Sequence, residues 1–129
     1  MTSTSTETMR HRAELPSYQT RDTSLICEIA HPSSSAARNQ SLAEATLAPG
    51  CSTLAHFHVR SEEIYYILRG QAQVSLDGAS STCEAGAAII IAPDVKHQIR
   101  NVSEEDLVFL CACAPPYAHE DTFECEPLL

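Results

Sequence analysis

Two histidines separated by a single residue lie in a stretch bounded by glycines, and this stretch constrains the fold most. It extends from Gly50 to Gly70 and contains His56 and His58, with Glu63 following after a short gap. In an extended strand alternate side chains share a face, so the two imidazoles point the same way. We expect the loop after His58 to reverse the chain into a hairpin, which would return the carboxylate of Glu63 to the histidines. Imidazole nitrogens with one carboxylate oxygen suit a divalent first-row transition metal.

A second stretch, from Gly86 to Asn101, supplies a third histidine at His97. The two stretches together resemble the paired motifs of the cupin superfamily, and the first motif matches at every fixed position. That motif is Gly, five residues, His-x-His, four residues, Glu, six residues and Gly, as found here between residues 50 and 70. A match across two motifs is far more specific than a lone His-x-His pair.

The second motif departs from the family pattern at the turn that precedes His97. Ala92 and Asp94 stand where the family usually has Pro and Gly, and Pro93 lies between them. Asp tolerates the turn conformations for which Gly is usually chosen, and Pro93 stiffens the same turn. We therefore expect the position of His97 to be preserved.

The resemblance implies an all-β, single-domain jelly-roll barrel, the double-stranded β-helix of cupins, with a metal in its mouth. The implied ligands are the imidazoles of His56, His58 and His97 and the carboxylate of Glu63. We expect one divalent transition metal per chain, which is Mn, Fe, Ni, Co or Zn. A hydrogen-bonded polar cluster in a barrel that has lost its metal is the alternative. The barrel is predicted over residues 23–116, between a flexible N-terminal arm at 1–22 and a C-terminal tail at 117–129.

The residue pattern by itself also favours a sandwich or barrel, because short apolar runs alternate with turn signals. An Asp77-Gly78 dipeptide predicts a tight β-hairpin. Strands are predicted at 25–30, 41–47, 64–68, 72–76, 80–84, 87–91, 97–101 and 107–114.

Tyr65 and Glu44 are our candidates for catalytic residues beside the metal. Tyr65 shares a strand face with Glu63, so it is a possible hydrogen-bond donor to the site or else a core tyrosine. Glu44 and Gln73 would reach the site only if they point inward, and spacing leaves their faces open. Cys111 and Cys113 share a face in an apolar run, which indicates buried packing rather than a redox pair.

Charge and composition limit the partners. The chain has 17 acidic and 8 basic residues without a run of Lys or Arg, which argues against nucleic acid or a membrane surface as partner. We expect a small-molecule substrate or ligand. The N-terminus lacks the apolar core of a signal peptide, so we predict a cytoplasmic location with reduced cysteines. Open barrel edges and a long arm that can add a strand to a neighbour predict a homodimer.

Three functions remain open at this stage. An oxygenase of the dioxygenase type is preferred, since a histidine-rich centre with open positions suits redox-capable Fe(II) or Mn(II). A sugar-phosphate isomerase is the alternative, because small cupins resemble the metal-binding domain of mannose-6-phosphate isomerases. A non-enzymatic module that binds a small molecule is the third possibility.

Overall fold

Two facing antiparallel sheets make up the fold in a computed structural model that describes residues 6–21 and 24–129. Within this part of the chain the strands are β1 (Ser17–Gln19), β2 (Leu25–Ala30), β3 (Ser41–Leu47), β4 (His56–His58), β5 (Glu62–Arg69), β6 (Gln71–Leu76), β7 (Ala79–Glu84), β8 (Ala88–Ile91), β9 (His97–Asn101), β10 (Leu107–Ala114) and β11 (Thr122–Glu124). Short 3-10 turns lie at Arg12–Glu14 and His119–Asp121. The all-β jelly-roll prediction is confirmed.

The order of strands brings distant segments of the chain together. The larger sheet has the order β1-β2-β3-β10-β5-β8, and the smaller has the order β11-β4-β9-β6-β7. Neighbours such as β3 and β10 are far apart in sequence, as expected for a fold with long crossovers between sheets. In the described ranges, 6–21 and 24–129, no helix is long and apolar enough to cross a membrane.

Strict alternation of burial along β5 shows which face is the interior. Glu63, Tyr65 and Ile67 are buried, whereas Ile64 and Tyr66 between them are exposed on the outer face. The core between the two sheets contains Ala45, Leu47, Tyr65, Ile67, Ala72, Val74, Ile91, Ile99, Leu107 and Phe109. Burial of one Leu or Ile side chain contributes about 1.5 to 3 kcal/mol to the free energy of folding. These core residues therefore hold the two sheets together around the polar residue Glu63.

Two turns confirm the conformations expected from the sequence. Asp77 and Gly78 have φ of 52° and 91° and join β6 to β7, as a two-residue hairpin turn requires. Asp94 has φ of 70°, the left-handed region that favours glycine. Its backbone N–H donates to the carbonyl oxygen of His58 at 2.7 Å. The turn therefore holds its place beside β4, just ahead of His97.

The predicted hairpin between His58 and Glu63 is wrong. Strand β4 pairs with β9 and β11 in the smaller sheet, whereas β5 pairs with β10 and β8 in the larger sheet. The loop between them crosses from one sheet to the other, so Glu63 approaches His58 across the interior. The carboxylate of Asp121 secures this loop by accepting the backbone N–H groups of Arg60 at 2.9 Å and Ser61 at 3.1 Å.

The two ends of the chain both join the sheets. In the predicted N-terminal arm, whose residues 1–5 and 22 lie outside the described residues, β1 pairs with β2 of the same chain. In the predicted C-terminal tail, β11 pairs with the histidine strand β4, with Thr122 directly opposite His58. The tail is therefore part of the wall that positions the histidines.

Candidate metal centre

Four side chains from three strands converge in the interior. His56 and His58 come from β4, His97 from β9 and Glu63 from β5, and one ligand atom from each lies within 4.8 Å of the others. His56 and His97 are directly opposite each other in the pairing of β4 with β9. The smaller sheet thus supplies the imidazoles and the larger sheet supplies the carboxylate.

Three atoms of this group are buried and lack a hydrogen-bond partner among the described residues. They are Nε2 of His58, Nε2 of His97 and Oε1 of Glu63. Oε1 of Glu63 lies 3.3 Å from each of the two nitrogens. A buried polar atom without a partner costs about 1 to 3 kcal/mol, and a shared cation would satisfy all three. The residues present therefore fit a divalent metal.

Backbone carbonyls orient two of the imidazoles. Nδ1 of His56 donates to the carbonyl oxygen of Leu54 at 2.7 Å, and Nδ1 of His97 donates to that of Val95 at 2.9 Å. A carbonyl accepts only, so each ring carries its proton on Nδ1 and leaves the lone pair of Nε2 available. This is the tautomer that a metal ligand requires.

Thr122 orients the third imidazole. The hydroxyl of Thr122 donates to the carbonyl oxygen of Ala118 at 2.9 Å, which uses its one proton. It therefore accepts from Nδ1 of His58, which lies 3.0 Å away. His58 is thereby held in the same tautomer as the other two histidines, by a residue of the predicted tail.

The carboxylate of Glu63 has two oxygens in different environments. Oε2 accepts a hydrogen bond from Sγ of Cys113 at 3.2 Å, while Oε1 faces the histidines. Burial raises the pKa of Glu63, but the neighbouring rings of His58 and His97 outweigh burial and lower this pKa to about 2. Glu63 is therefore an anion at neutral pH.

The remaining charges also suit a cation. Burial, and then the neighbouring His97, lower the pKa of His56 to about 4, so its imidazole is neutral at pH 7. Burial, and then the negative charge of Glu63, raise the pKa of Cys113 far above its usual range, so its thiol keeps its proton. The neutral imidazole of His56 and the anionic carboxylate of Glu63 together carry one negative charge, which a divalent ion would reverse.

Of the two residues predicted to be catalytic, Tyr65 lies beside the group. It is buried on the interior face, with its ring 5.9 Å from that of His97 and 4.9 Å from that of Phe109. Glu44 lies on the opposite face of β3 from the core residue Ala45, and its carboxylate accepts from Nε of Arg12 at 3.2 Å. Glu44 therefore does not reach the group.

Gln73 likewise points away from the interior. It lies between the core residues Ala72 and Val74 of β6, directly opposite Arg100 in β9. Alternation along the strand places both Gln73 and Arg100 on the outer face.

Three residues that position the group were not found from the sequence. Thr122 and Asp121 lie in a segment without strand periodicity, and their roles depend on the pairing of β11 with β4. The alternation around Cys113 does predict an inward thiol. Its contact with Glu63 depends on the register between β10 and β5, which the sequence leaves open.

Comparison with known proteins agrees with this architecture. The family model described as "Cupin domain" matches residues 43–113. The uncharacterized protein MJ1618 of Methanocaldococcus jannaschii is 45% identical over 105 residues, which cover 81% of this chain and 84% of the relative.

Two solved structures are similar in fold at low sequence identity. Pac13, a nucleoside dehydratase from Streptomyces, superimposes with a TM-score of 0.78 at 16% identity, over 94% of this chain and 92% of Pac13. A predicted oxalate decarboxylase from Thermotoga maritima gives a TM-score of 0.76 at 22% identity, over 84% of this chain and 99% of that one. At these identities the likeness concerns the fold.

Proposed function

Because this chain belongs to the cupin family, we propose that it is a metal-dependent enzyme that acts on a small organic molecule inside the barrel. The metal would be held by Nε2 of His56, His58 and His97 and by Oε1 of Glu63. The observation that carries the proposal is the set of buried atoms without partners, Nε2 of His58 and His97 and Oε1 of Glu63. Such a set is costly unless it binds something.

When bound, a divalent transition metal would supply a positive centre that attracts substrate oxygens and, for iron or manganese, a redox couple. The protein contributes by holding three imidazoles in one tautomer and by keeping Glu63 ionised. Tyr65, buried beside His97, is the residue that we propose to hold or move a proton of the substrate. The aromatic ring of Phe109 and the surrounding core exclude water from this side of the site.

Among metal-dependent reactions we prefer oxygenase chemistry of the dioxygenase type. Four protein ligands leave positions open at a metal that takes five or six, as an enzyme using both a substrate and dioxygen requires. Fe(II) or Mn(II) would be the functional metal, whereas zinc cannot change its oxidation state.

Reactions without redox change are the second candidate, and the structurally similar Pac13, a nucleoside dehydratase, catalyses one such reaction, the loss of water. A sugar-phosphate isomerase is less favoured, because two of the basic residues near the motifs do not face the group. Arg100 lies on the outer face of β9, and Nε of Arg69 is paired with the carboxylate of Glu105 at 3.2 Å. A module that only binds its ligand would share the geometry but not the turnover.

The test combines metal content with turnover. Protein loaded with Fe(II), Mn(II) or Zn(II) is desalted, its metal is measured by elemental analysis, and oxygen uptake is followed with 1,2-diketones, catechols and enols. We expect about one metal per chain, and uptake with iron or manganese but not zinc. Conversion that survives exchange to zinc supports the non-redox candidate, and tight binding without conversion supports a binding module. The variant Tyr65→Phe should lower kcat at unchanged metal content.

We also propose a homodimer formed through the outer face of the larger sheet. Ile64, Tyr66, Leu68 and Ile90 are between 38% and 66% exposed although they are large and apolar. Ile64 is directly opposite Ile90 in the pairing of β5 with β8, so these side chains form a continuous patch. The chain carries a net charge of −9, so two copies would approach best where apolar side chains cover the surface. A cytoplasmic location is also proposed, on the basis of the six free thiols.

A further inference from the structure

We propose that Cys113 is a positioning residue that restricts Glu63 to binding the metal through a single oxygen. This inference rests on the proposed metal centre and adds a residue to it. It assigns a role to a thiol that the sequence alone interprets as packing.

The sheet register brings the two side chains together. Cys113 in β10 is directly opposite Glu63 in β5, and both lie on the interior face. The two residues are 3% and 5% exposed, so water does not compete for their contact. Sγ of Cys113 lies 3.2 Å from Oε2 of Glu63, within the range for a hydrogen bond from sulfur.

The hydrogen bond separates the roles of the two carboxylate oxygens. A carboxylate can bind a metal through one oxygen or both, and the choice changes the number of positions left for other ligands. Oε2 is taken by the thiol, whereas Oε1 lies 3.3 Å from Nε2 of both His58 and His97 and has no partner among the described residues. Only Oε1 therefore faces the imidazole nitrogens and would bind the metal.

A thiol is suited to this role because it is a weak donor. A charged donor such as Arg or Lys would compete with the metal for the negative charge of Glu63. The S–H group fixes the rotation of the carboxylate and leaves most of its charge for the cation. A bound metal would then have one more open position than it would if Glu63 bound through both oxygens.

The test compares three variants with the parent protein. Cys113→Ala removes the donor, Cys113→Ser replaces it by another donor, and Cys111→Ala removes a thiol of the same face that is opposite Tyr65 rather than Glu63. Each is titrated with Co(II), and the visible absorption of bound Co(II), which weakens as coordination number rises, is recorded. We expect Cys113→Ala to bind about 10-fold more weakly with a weaker band. Cys113→Ser should stay within about 3-fold of the parent, and Cys111→Ala should match it.

Several outcomes would overturn the inference. If the parent binds Co(II) and Cys113→Ala binds it with the same affinity and the same spectrum, Cys113 has no role in the site. The metal centre itself would stand in that case. A parent that binds no Co(II) would overturn the metal centre and this inference together. A loss in Cys113→Ser as large as in Cys113→Ala would show that sulfur packing matters rather than the hydrogen bond.

A measurement on the intact site covers the case in which Cys113→Ala does not fold. The infrared S–H stretching band of the parent protein, minus that of Cys113→Ser, isolates the thiol of Cys113. We expect this band at the lowered frequency of a hydrogen-bonded thiol. A band at the frequency of a free thiol would overturn the inference.

Discussion

The hydroxyl of Thr122 lies 3.0 Å from Nδ1 of His58 and is the acceptor that fixes the tautomer of that imidazole. The two residues are directly opposite each other in the pairing of β11 with β4. The C-terminal strand therefore acts on the proposed metal centre through a single hydrogen bond. Removing such an outer partner of a metal ligand typically costs 10- to 100-fold in affinity.

The first prediction tests this relationship. Thr122→Val keeps the shape of the side chain but cannot accept from His58, so metal affinity should fall about 10-fold. Thr122→Ser should bind as the parent does, and Thr82→Val, on an exposed face of β7, is the control for the substitution itself. The metal affinity of each protein is measured by isothermal titration calorimetry. Equal affinity of Thr122→Val and the parent would contradict the role of Thr122.

The second prediction concerns stability on addition of metal. A ligand at 100 times its Kd stabilises the folded state by about 2.7 kcal/mol, which is roughly 10 °C in Tm for a domain of this size. The parent should show this shift, whereas Glu63→Gln should show almost none, because a neutral amide replaces the anionic ligand. The control is Glu62→Gln, at the exposed neighbouring position, which should shift as the parent does. If metal raises the Tm of Glu63→Gln as much as that of the parent, Glu63 is not a metal ligand.

The third prediction is a pH dependence that originates at Asp121. Burial raises the pKa of Asp121, but hydrogen bonds from the backbone of Ser61 and Arg60 outweigh burial and lower this pKa below its ordinary value. A carboxyl whose pKa is lowered on folding contributes stability above its unfolded pKa, and this contribution is lost as pH falls through the folded pKa. Asp121→Asn should therefore cost about 1 to 2 kcal/mol at pH 7, and the difference from the parent should shrink below about pH 4.

Urea unfolding at pH 7, 5 and 3 measures this difference for Asp121→Asn. Glu120→Gln changes an exposed carboxyl at the adjacent position and should track the parent at each pH. A cost for Asp121→Asn that is the same at pH 3 and pH 7 would show that the charge of Asp121 does not support the loop.

The fourth prediction concerns assembly. Light scattering at micromolar concentration should give twice the mass of one chain for the parent protein. Ile90→Glu or Tyr66→Glu places a charge in the exposed apolar patch and should give the mass of a single chain. Val102→Glu, at an exposed apolar residue outside the patch, should leave the dimer intact. A parent with the mass of one chain would reject the dimer, and a dimeric Ile90→Glu would reject this face as its interface.

The sequence by itself determined the local features of the protein. The strands Ser41–Leu47, His97–Asn101 and Leu107–Ala114 have the predicted limits, because alternation of apolar residues and turn chemistry act over a few neighbours. Asp77, Gly78 and Asp94 adopt the conformations expected from their residue types for the same reason. The four polar residues could be named in advance because a shared strand face and the motif spacing identify them.

Only the tertiary structure decided what surrounds those residues. The loop after His58 crosses between sheets rather than forming a hairpin, because β4 and β5 find their partners in segments far along the chain. The face of Glu44 and the contact between Cys113 and Glu63 depend on the register of strands distant in sequence, which alternation within one strand leaves open. Thr122 likewise reaches His58 only because β11 pairs with β4. The segment around Thr122 has no strand periodicity from which this pairing could be predicted.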